Sequence, residues 1–242
     1  MPHNQFYRTV VLHRRQYKSS TYLLKLWVED FGKVSAIVRK HSKKPDLCHP
    51  FSLLDIRLKL AKSNDSLSVV QAVEQVFYFR CSSDLAQLSQ LYINELLYWL
   101  LPFDHVDKAL FMEYLATMEA LVDNKIKLPL RYFELALLKS LGYGFQCDVD
   151  AENDPIDPQK FYQMTPLSSF YRVYDSSAIK GEIIQKINRP IELWETQMHQ
   201  TIYKLIRMNL NACLQGRQLK TRELLRSYIN CKARTKTEMK DS

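Results

Sequence analysis

Residues 131–144 read RYFELALLKSLGYG and predict a helix that is apolar around nearly its whole circumference. Only a narrow polar stripe, which contains Arg131, interrupts the apolar surface. Pro129 just upstream is typical of a first helical turn, and Gly142 or Gly144 can adopt the left-handed conformation that ends a helix. Because such a helix must be covered on most sides, the segment predicts the centre of an all-α domain.

The same helical period continues on both sides of this segment. Upstream, two amphipathic helices are predicted between residues 82 and 122, with short links at 102–104 and 123–129 that favour antiparallel packing. We therefore expect a helical domain over residues 81–146. Downstream, an amphipathic helix is predicted from about residue 190 to before Gly216, and it should pack back on this domain.

The first part of the chain has a different period. Leu54, Ile56 and Leu58 alternate with polar residues, and similar runs between residues 6 and 75 predict about five short strands separated by turns. This length suits a small antiparallel barrel, for which the OB-fold is the leading candidate, although periodicity leaves another five-stranded barrel open. We predict an α+β chain, with a five-stranded OB-fold barrel at residues 1–80 followed by an all-α helical domain.

Residues 147–189 contain prolines and show sparse periodicity, so we expect an irregular insert there. Its acidic run, CDVDAENDPIDPQ, resembles the start of a calcium loop. However, Asn153 and Gln159 stand where such a loop requires Gly and Glu. The run therefore disfavours a calcium site.

The last segment, residues 190–242, combines the C-terminal helix with a basic tail. Within it, LKTRELLR at residues 219–226 predicts a short helix in which Thr221 or a neighbour accepts hydrogen bonds from the first turn. The last ten residues have no apolar pattern, and we expect them to be disordered.

The composition indicates a protein with a substantial core. Of the 242 residues, 46% are hydrophobic, which suits one large domain or two to three small ones. No apolar run approaches the roughly 20 residues that span a bilayer, and the N-terminus has no secretory apolar core. The five cysteines are odd in number and scattered, which favours reduced thiols. We expect a cytoplasmic protein with no membrane partner, metal or other cofactor.

Charge is divided unevenly along the chain. Residues 1–44 contain ten Lys and Arg against two acidic residues, and residues 201–242 contain ten against three, whereas the residues between them contain 14 against 21. A polyanion such as nucleic acid is the obvious partner for two basic ends, since each Lys or Arg that meets a phosphate releases counterions. Ordinary solvated faces are the other explanation.

Few groups suggest catalysis. The sequence has no G-x-x-x-x-G-K-[ST] loop, no G-x-G-x-x-G turn and no H-E-x-x-H pair, so the common ATP, dinucleotide and zinc-protease motifs are missing. A nuclease with clustered carboxylates between Asp148 and Asp157 is the enzymatic alternative. We expect a binding protein that is not an enzyme.

Four segments resemble, in the same order, segments of the bacterial DNA repair protein RecO family. They are VLHRRQYKSSTYLLKL at residues 11–26, LYINELL at 91–97, RYFELALLKSLGYG at 131–144 and GRQLKTRELLR at 216–226. The likeness spans most of the chain and fails mainly between about residues 147 and 190. Some members have a four-cysteine zinc site in that region, but only Cys147 lies here, which disfavours zinc.

The resemblance implies an N-terminal OB-fold and a non-enzymatic recombination mediator. Such a protein binds single- and double-stranded DNA, anneals complementary strands, and acts with RecR to help RecA replace the single-strand DNA-binding protein, SSB. We expect a monomer in the cytoplasm that associates with the nucleoid. A scaffold that binds protein or RNA through its basic ends is the alternative function.

Basic residues of the two ends are the candidate DNA ligands, and one hypothesis is that they form a single surface. Barrels of this type bind strands through a basic groove with aromatic residues that stack on bases, for which Tyr17 and Tyr22 are candidates. The chain departs from the family in the loop RKHSKKP, which replaces a Gly-Ala-Arg-like run, and at Ser19, where Glu is usual. The predicted DNA-binding residues are Arg14, Arg15, Lys18, Lys25, Arg39, Lys40, Lys43, Lys44, Arg217, Lys220, Arg222 and Arg226.

In the RecO family the helical domain binds the acidic C-terminal tail of SSB. Arg131 matches a basic position of the family's RRFELALL run and lies at the N-terminal end of its helix, where N–H groups favour anions. Lys125 and Lys127 in the preceding loop add positive charge, so these three residues are the predicted tail-binding site. The alternative is an Arg131 that only pairs with Glu134 or Glu95.

Overall fold

The computed structural model describes residues 5–40, 46–61, 66–190 and 194–238. In chain order the elements are β1 (Tyr7–Lys18), β2 (Thr21–Val28), β3 (Gly32–Arg39), β4 (Ser52–Lys59), β5 (Ser68–Tyr78), α1 (Asp84–Leu100), α2 (Lys108–Val122), α3 (Lys127–Ser140), β6 (Phe161–Gln163), β7 (Tyr171–Val173), β8 (Ile179–Lys180), α4 (Gly181–Lys186), α5 (Thr196–Cys213) and α6 (Lys220–Glu238). The chain divides into two compact units, residues 1–126 with 218–242, and residues 127–217. The units group α3 with the residues that follow it, whereas the sequence placed it with α1 and α2.

The first five strands form a closed barrel in the order β1-β2-β3-β5-β4, which confirms the predicted OB-fold. Neighbouring strands are antiparallel except β3 and β5, which are parallel. The alternation that predicted the strands sends apolar side chains inward, where Leu24, Leu26, Leu54 and Ile56 are buried. Burial of this face fixes which of the remaining residues lie outside the barrel.

The outer face of β2 meets the helices of the same unit. Trp27 is fully buried, and its ring centroid lies 5.0 Å from that of Phe111 and 5.7 Å from that of Tyr114, both on α2. Asn94 on α1 donates a hydrogen bond to the backbone carbonyl of Leu12 at 3.1 Å and accepts one from the Tyr114 hydroxyl at 2.9 Å. These buried contacts hold α1 and α2 against the barrel.

The link between α1 and α2 lies against the turn between β2 and β3. Gly32, the first residue of β3 after this turn, has φ +75°, and a Cβ atom there would lie 2.6 Å from the backbone oxygen of His105 in the link. The adjacent residue, Lys33, forms an isolated β-bridge with Phe103. The link can approach this closely because residue 32 has no side chain.

The second unit contains α3, the helix predicted from RYFELALLKSLGYG. Phe133 and Leu138 are fully buried, and α3 packs on α5. Gly142 has φ +85°, and the N–H of Tyr143 donates to the backbone carbonyl of Leu138 at 2.8 Å. The helix therefore ends at the left-handed glycine that the sequence predicts.

The expected irregular insert, residues 147–189, contains more regular structure than predicted. It holds a three-stranded sheet in the order β7-β6-β8 and the short helix α4. Tyr162, Phe170 and Ile184 are buried in this region. Strands of two or three residues are too short to give a detectable alternation, so the sequence could not predict them.

The C-terminal region differs from its prediction. α5 lies where an amphipathic helix was expected, but α6 continues from Lys220 to Glu238. The helix predicted at 219–226 is therefore present but longer than predicted. The disorder predicted for the last ten residues is wrong as far as Glu238, and residues 239–242 lie outside the described part. None of the helices within the described ranges is long and apolar enough to cross a membrane.

Candidate nucleic-acid interface

Three cations from three neighbouring strands form a basic row on the outside of the barrel. Arg15 lies on β1, Lys25 on β2 and Lys33 on β3. Register places Lys25 beside Ser35 of β3, and the Lys25 ammonium donates to the Ser35 hydroxyl at 2.6 Å. The sequence predicted Arg15 and Lys25 as DNA ligands, and the barrel brings them together with Lys33.

The electrostatics of the basic row show that its members act on one another. Burial lowers the pKa of Lys33 to about 8, and the charge of Lys25 contributes to the same shift. Burial also lowers the pKa of Lys25, with a further contribution from Arg15. The pKa of His13 is lowered by burial, then by Arg15 and Lys25. Closely spaced and partly desolvated cations of this kind produce a strong positive potential at the surface.

Aromatic rings lie beside the basic row. The ring centroid of Phe103 is 4.8 Å from the Lys25 ammonium and 5.1 Å from the Lys33 ammonium. Tyr98, at the end of α1, lies with its ring centroid 5.3 Å from that of His13. Sequence reasoning did not identify Lys33 or Phe103 as site residues, because no local pattern connects a lysine at a strand start to a distant helix link.

A second group of cations lies at one end of the barrel. Thr21 is paired with both Lys18 and Arg39 across neighbouring strands, and the N–H of Lys40 donates to the backbone carbonyl of Ser20 at 2.8 Å. Lys18, Arg39 and Lys40 are all exposed. The predicted ligands of this region therefore come together, although Lys43 and Lys44 of the following loop lie outside the described residues.

Arg14 differs from its neighbours because its side chain is already engaged. Its guanidinium lies 2.5 Å from the Asp46 carboxylate and 3.6 Å above the ring of Tyr22, and its side chain is only 12% exposed. It also donates to the backbone carbonyl of Cys48 at 3.2 Å. Arg14 thus ties the segment before β4 to the barrel and covers Tyr22, whereas the other predicted stacking residue, Tyr17, is half exposed.

The C-terminal cations are divided between the two units. Lys220 and Arg226 are exposed on α6, in the first unit. The Arg222 guanidinium lies 5.8 Å from the ring centroid of Tyr92 on α1. Arg217 is exposed in the second unit. The hypothesis of one continuous DNA-binding surface stays a prediction.

The predicted tail-binding residues have unequal surroundings. The Arg131 guanidinium lies 2.6 Å from the Glu134 carboxylate, which is 2% exposed, and 4.5 Å from the ring centroid of Tyr203. Lys127 is exposed on α3, and the exposed Lys125 of the first unit pairs with Asp123 at 3.2 Å. Arg131 therefore makes the ion pair with Glu134 that was the alternative to tail binding.

Within the acidic run of residues 148–157, Asp150 has a structural role. One carboxylate oxygen of Asp150 accepts hydrogen bonds from the N–H groups of Glu152 and Asp154, at 2.9 and 3.1 Å. Asp150 is buried and closes a turn by this side-chain contact. Among the described residues, no three or more His, Cys, Asp or Glu side chains are grouped closely enough to hold a metal ion.

Two family models match this chain. The model described as Recombination protein O N terminal matches residues 5–79, which contain the barrel and the basic row. The model described as Recombination protein O C terminal matches residues 85–170, from α1 into the three-stranded sheet. Together they cover most of the chain.

Three curated relatives match along nearly their full length. The chain is 34% identical over 230 residues to the DNA repair protein RecO of Francisella tularensis subsp. novicida, which covers 94% of this chain and 99% of that one. It is 34% identical over 229 residues to the protein of the same name from Francisella philomiragia, covering 93% and 97%. With that of Coxiella burnetii it shares 32% identity over 224 residues, covering 89% and 95%.

Proposed function

Because this chain belongs to the RecO family, we propose that it acts in DNA repair and recombination as a DNA-binding mediator. The observation that carries the proposal is the basic row of Arg15, Lys25 and Lys33 on the outer face of an OB-fold barrel. OB-folds bind oligonucleotides through this side of the barrel, and a positively charged groove with aromatic neighbours suits a single strand. When DNA phosphates contact the cations of the basic row, the DNA releases the counterions bound to those phosphates.

Annealing follows from the same charges. Two complementary strands repel each other through their phosphates, and a protein that neutralises both backbones lowers this repulsion while leaving the base edges accessible. The chain offers separate groups of cations for two strands: the basic row, the barrel end with Lys18, Arg39 and Lys40, and the exposed Lys220 and Arg226 of α6. The proposed protein therefore binds single- and double-stranded DNA and anneals complementary strands without catalysing a covalent reaction.

The family also suggests the partners. The proposed protein acts as a monomer with RecR to help RecA replace SSB on single-stranded DNA, in the cytoplasm and at the nucleoid. Docking of the acidic SSB tail is proposed for Arg131, Lys125 and Lys127. Since Glu134 already lies 2.6 Å from the Arg131 guanidinium, a carboxylate of the tail would have to share that guanidinium.

A salt titration of single-stranded DNA binding tests the proposal. Fluorescence anisotropy with labelled oligo(dT) should give a linear fall of log K against log salt, since phosphate contacts release counterions. The double variant Arg15→Gln, Lys25→Gln should flatten that slope by about 1.4, at about 0.7 for each lost contact to a single strand. The charge-matched control is Lys139→Gln, Lys160→Gln, because both lysines are exposed, lie in the second unit and are outside the predicted set.

Annealing is measured with the same proteins, from the quenching of two complementary labelled strands. Arg15→Gln, Lys25→Gln should slow annealing, whereas the control double variant should match the wild-type rate. The proposal would be contradicted if the wild-type protein neither bound oligo(dT) nor accelerated annealing. If log K falls with log salt at the same slope in the wild type and in the Arg15, Lys25 variant, the basic row does not contact the DNA.

A further inference from the structure

A cleft opens beside the basic row, within the first unit. Its volume is about 290 Å³. The walls come from β3 and the turn before it, from residues on both sides of the connection between β4 and β5, and from the link between α1 and α2. The lining includes Lys33, Ser35, Leu60, Ser68 and Phe103. In OB-folds, oligonucleotides bind against strands 2 and 3 and the loop between strands 4 and 5. This cleft borders β3 and the described residues on either side of the β4–β5 connection.

The ring of Phe103 offers a surface in this cleft on which a base can stack. The side chain comes from the α1–α2 link rather than from the barrel, and 42% of the residue is exposed. The ammonium groups of Lys25 and Lys33 lie 4.8 and 5.1 Å from its ring centroid. An exposed aromatic ring beside two cations matches the two parts of a nucleotide, a flat base and a phosphate.

The Lys33 ammonium can donate hydrogen bonds to a ligand in the cleft. It donates to the backbone carbonyl of Tyr98 at 2.9 Å, and an ammonium group has three N–H donors. The residue is only 6% exposed and has Lys25 nearby, so its charge is poorly solvated and repelled. An anion in the cleft would offset both effects.

The acidic lining of the cleft favours a nucleotide over an acidic peptide. Asp30 and Asp104 also line the cleft, and Asp30 pairs with Lys108 at 2.9 Å. A peptide that carries several carboxylates would meet these two acids as well as the lysines. A nucleotide carries one anionic group, which fits beside Lys25 and Lys33, and a neutral base for the remainder.

We propose that this cleft is a nucleotide subsite for single-stranded DNA, in which one base stacks on Phe103 and its phosphate contacts Lys25 and Lys33. The inference rests on the proposed DNA-binding function and deepens it. It gives the α1–α2 link a direct role in binding, so that the barrel and helices of the first unit hold one strand jointly.

The test separates base stacking from phosphate contact. Affinities are measured by anisotropy for labelled oligo(dT) about 16 nucleotides long and for an abasic strand of equal length. Phe103→Leu should weaken oligo(dT) binding about fivefold or more and leave abasic binding unchanged, since stacking on one aromatic side chain has an effect of this size. Lys25→Met should weaken both strands alike and lower the salt slope by about 0.7.

The matched control is Phe77→Leu on β5, because Phe77 is also an exposed phenylalanine of the first unit, at 47%. It should bind both strands as the wild type does. Circular dichroism and thermal unfolding verify that each variant is folded before binding is compared.

Three results would overturn the subsite. In the first, Phe103→Leu binds oligo(dT) within about twofold of the wild type while the wild type binds normally, which removes the subsite but leaves the proposed function standing. In the second, Phe103→Leu weakens both strands equally, which assigns Phe103 a structural role. In the third, a labelled acidic peptide with an aromatic C-terminus depends on Phe103 while oligo(dT) does not, which assigns the cleft to a peptide. A wild type that binds neither strand would reject the proposed function itself.

Discussion

The carboxylate of Glu95 on α1 caps the first turn of α6 at Thr221. It accepts hydrogen bonds from the Thr221 N–H at 2.9 Å, from the Thr221 hydroxyl at 2.6 Å and from the Lys220 N–H at 3.0 Å. The sequence placed the acceptor of this turn at Thr221 or a neighbour, whereas the structure supplies it from a residue 126 positions away. Glu95 lies in LYINELL and Thr221 in GRQLKTRELLR, so two of the segments that resemble the RecO family contact each other.

Glu95→Ala should loosen α6. The variant loses the acceptor for two backbone N–H groups and one hydroxyl, and we expect the free energy of unfolding to fall by about 1 to 3 kcal/mol. Hydrogen exchange of the amides of Lys220 and Thr221 should accelerate more than exchange in the barrel. Glu119→Ala, at an exposed glutamate of α2, is the control and should change neither quantity. Unchanged exchange at α6 in Glu95→Ala would contradict a capping role.

Gly32→Ala should displace the α1–α2 link. Gly32 has φ +75°, and an added Cβ would lie 2.6 to 2.9 Å from backbone atoms of His105. We expect a loss in the free energy of unfolding of about 2 to 3 kcal/mol, from left-handed strain and the clash together. Gly216→Ala is the matched control, because Gly216 has φ +80° but a Cβ added there would have no atom within 4 Å. Urea unfolding should show a smaller loss in the free energy of unfolding for Gly216→Ala. Equal losses in the two variants would mean that the close approach of the link does not affect stability.

Lys33 should make stability depend on pH in a defined window. Burial, followed by the charge of Lys25, lowers its pKa from 10.5 to about 8 in the folded protein. Between these two values the unfolded chain binds more protons than the folded protein, so the contribution of this group to stability rises with pH. Below pH 8 the cost of the buried charge is present in full. The wild type should therefore gain stability relative to Lys33→Met as pH increases from 8 to 10.5.

Urea unfolding at several pH values measures this difference for Lys33→Met and for Lys59→Met. Lys59 is exposed on β4, and its variant should stay at a constant difference from the wild type. A constant difference for Lys33→Met as well would show that the ammonium is better solvated than the structure indicates.

Arg131 should prove to be both a structural and a binding residue. Arg131→Ala leaves the Glu134 carboxylate, which is 2% exposed, without the guanidinium that lies 2.6 Å away. We expect the free energy of unfolding to fall by about 3 kcal/mol, and Arg131→Met with Glu134→Leu to recover most of that loss. The recovered double variant is then folded and lacks the guanidinium, so it isolates the role of Arg131 in tail binding.

Anisotropy with a labelled peptide of the SSB tail measures that role. The double variant should bind the peptide about tenfold more weakly than the wild type, as expected for a lost charge-assisted contact, and bind naked DNA equally well. Peptide affinity equal to that of the wild type would place the docking site elsewhere and leave Arg131 as an ion-pair partner only.

The sequence by itself determined the elements and the family. Alternation such as that of Leu54, Ile56 and Leu58 identified the barrel strands, and the period of RYFELALLKSLGYG identified α3, because the environment of each element imposes its own repeat on the chain. Charge counts located the two basic ends. The sequence pattern did not predict the strands of the insert or the length of α6, because short strands and solvated helical residues have no apolar period.

Only the tertiary structure decided what each cation does. Arg14 and Arg15 are adjacent in the sequence, yet Arg14 is held by Asp46 while Arg15 belongs to the basic row. Lys33 joined that row because strand register and the α1–α2 link placed it beside Lys25 and Phe103. The physical reason is that charge and ring contacts depend on separations of a few ångströms, which are set by packing between residues far apart in the chain and not by local spacing.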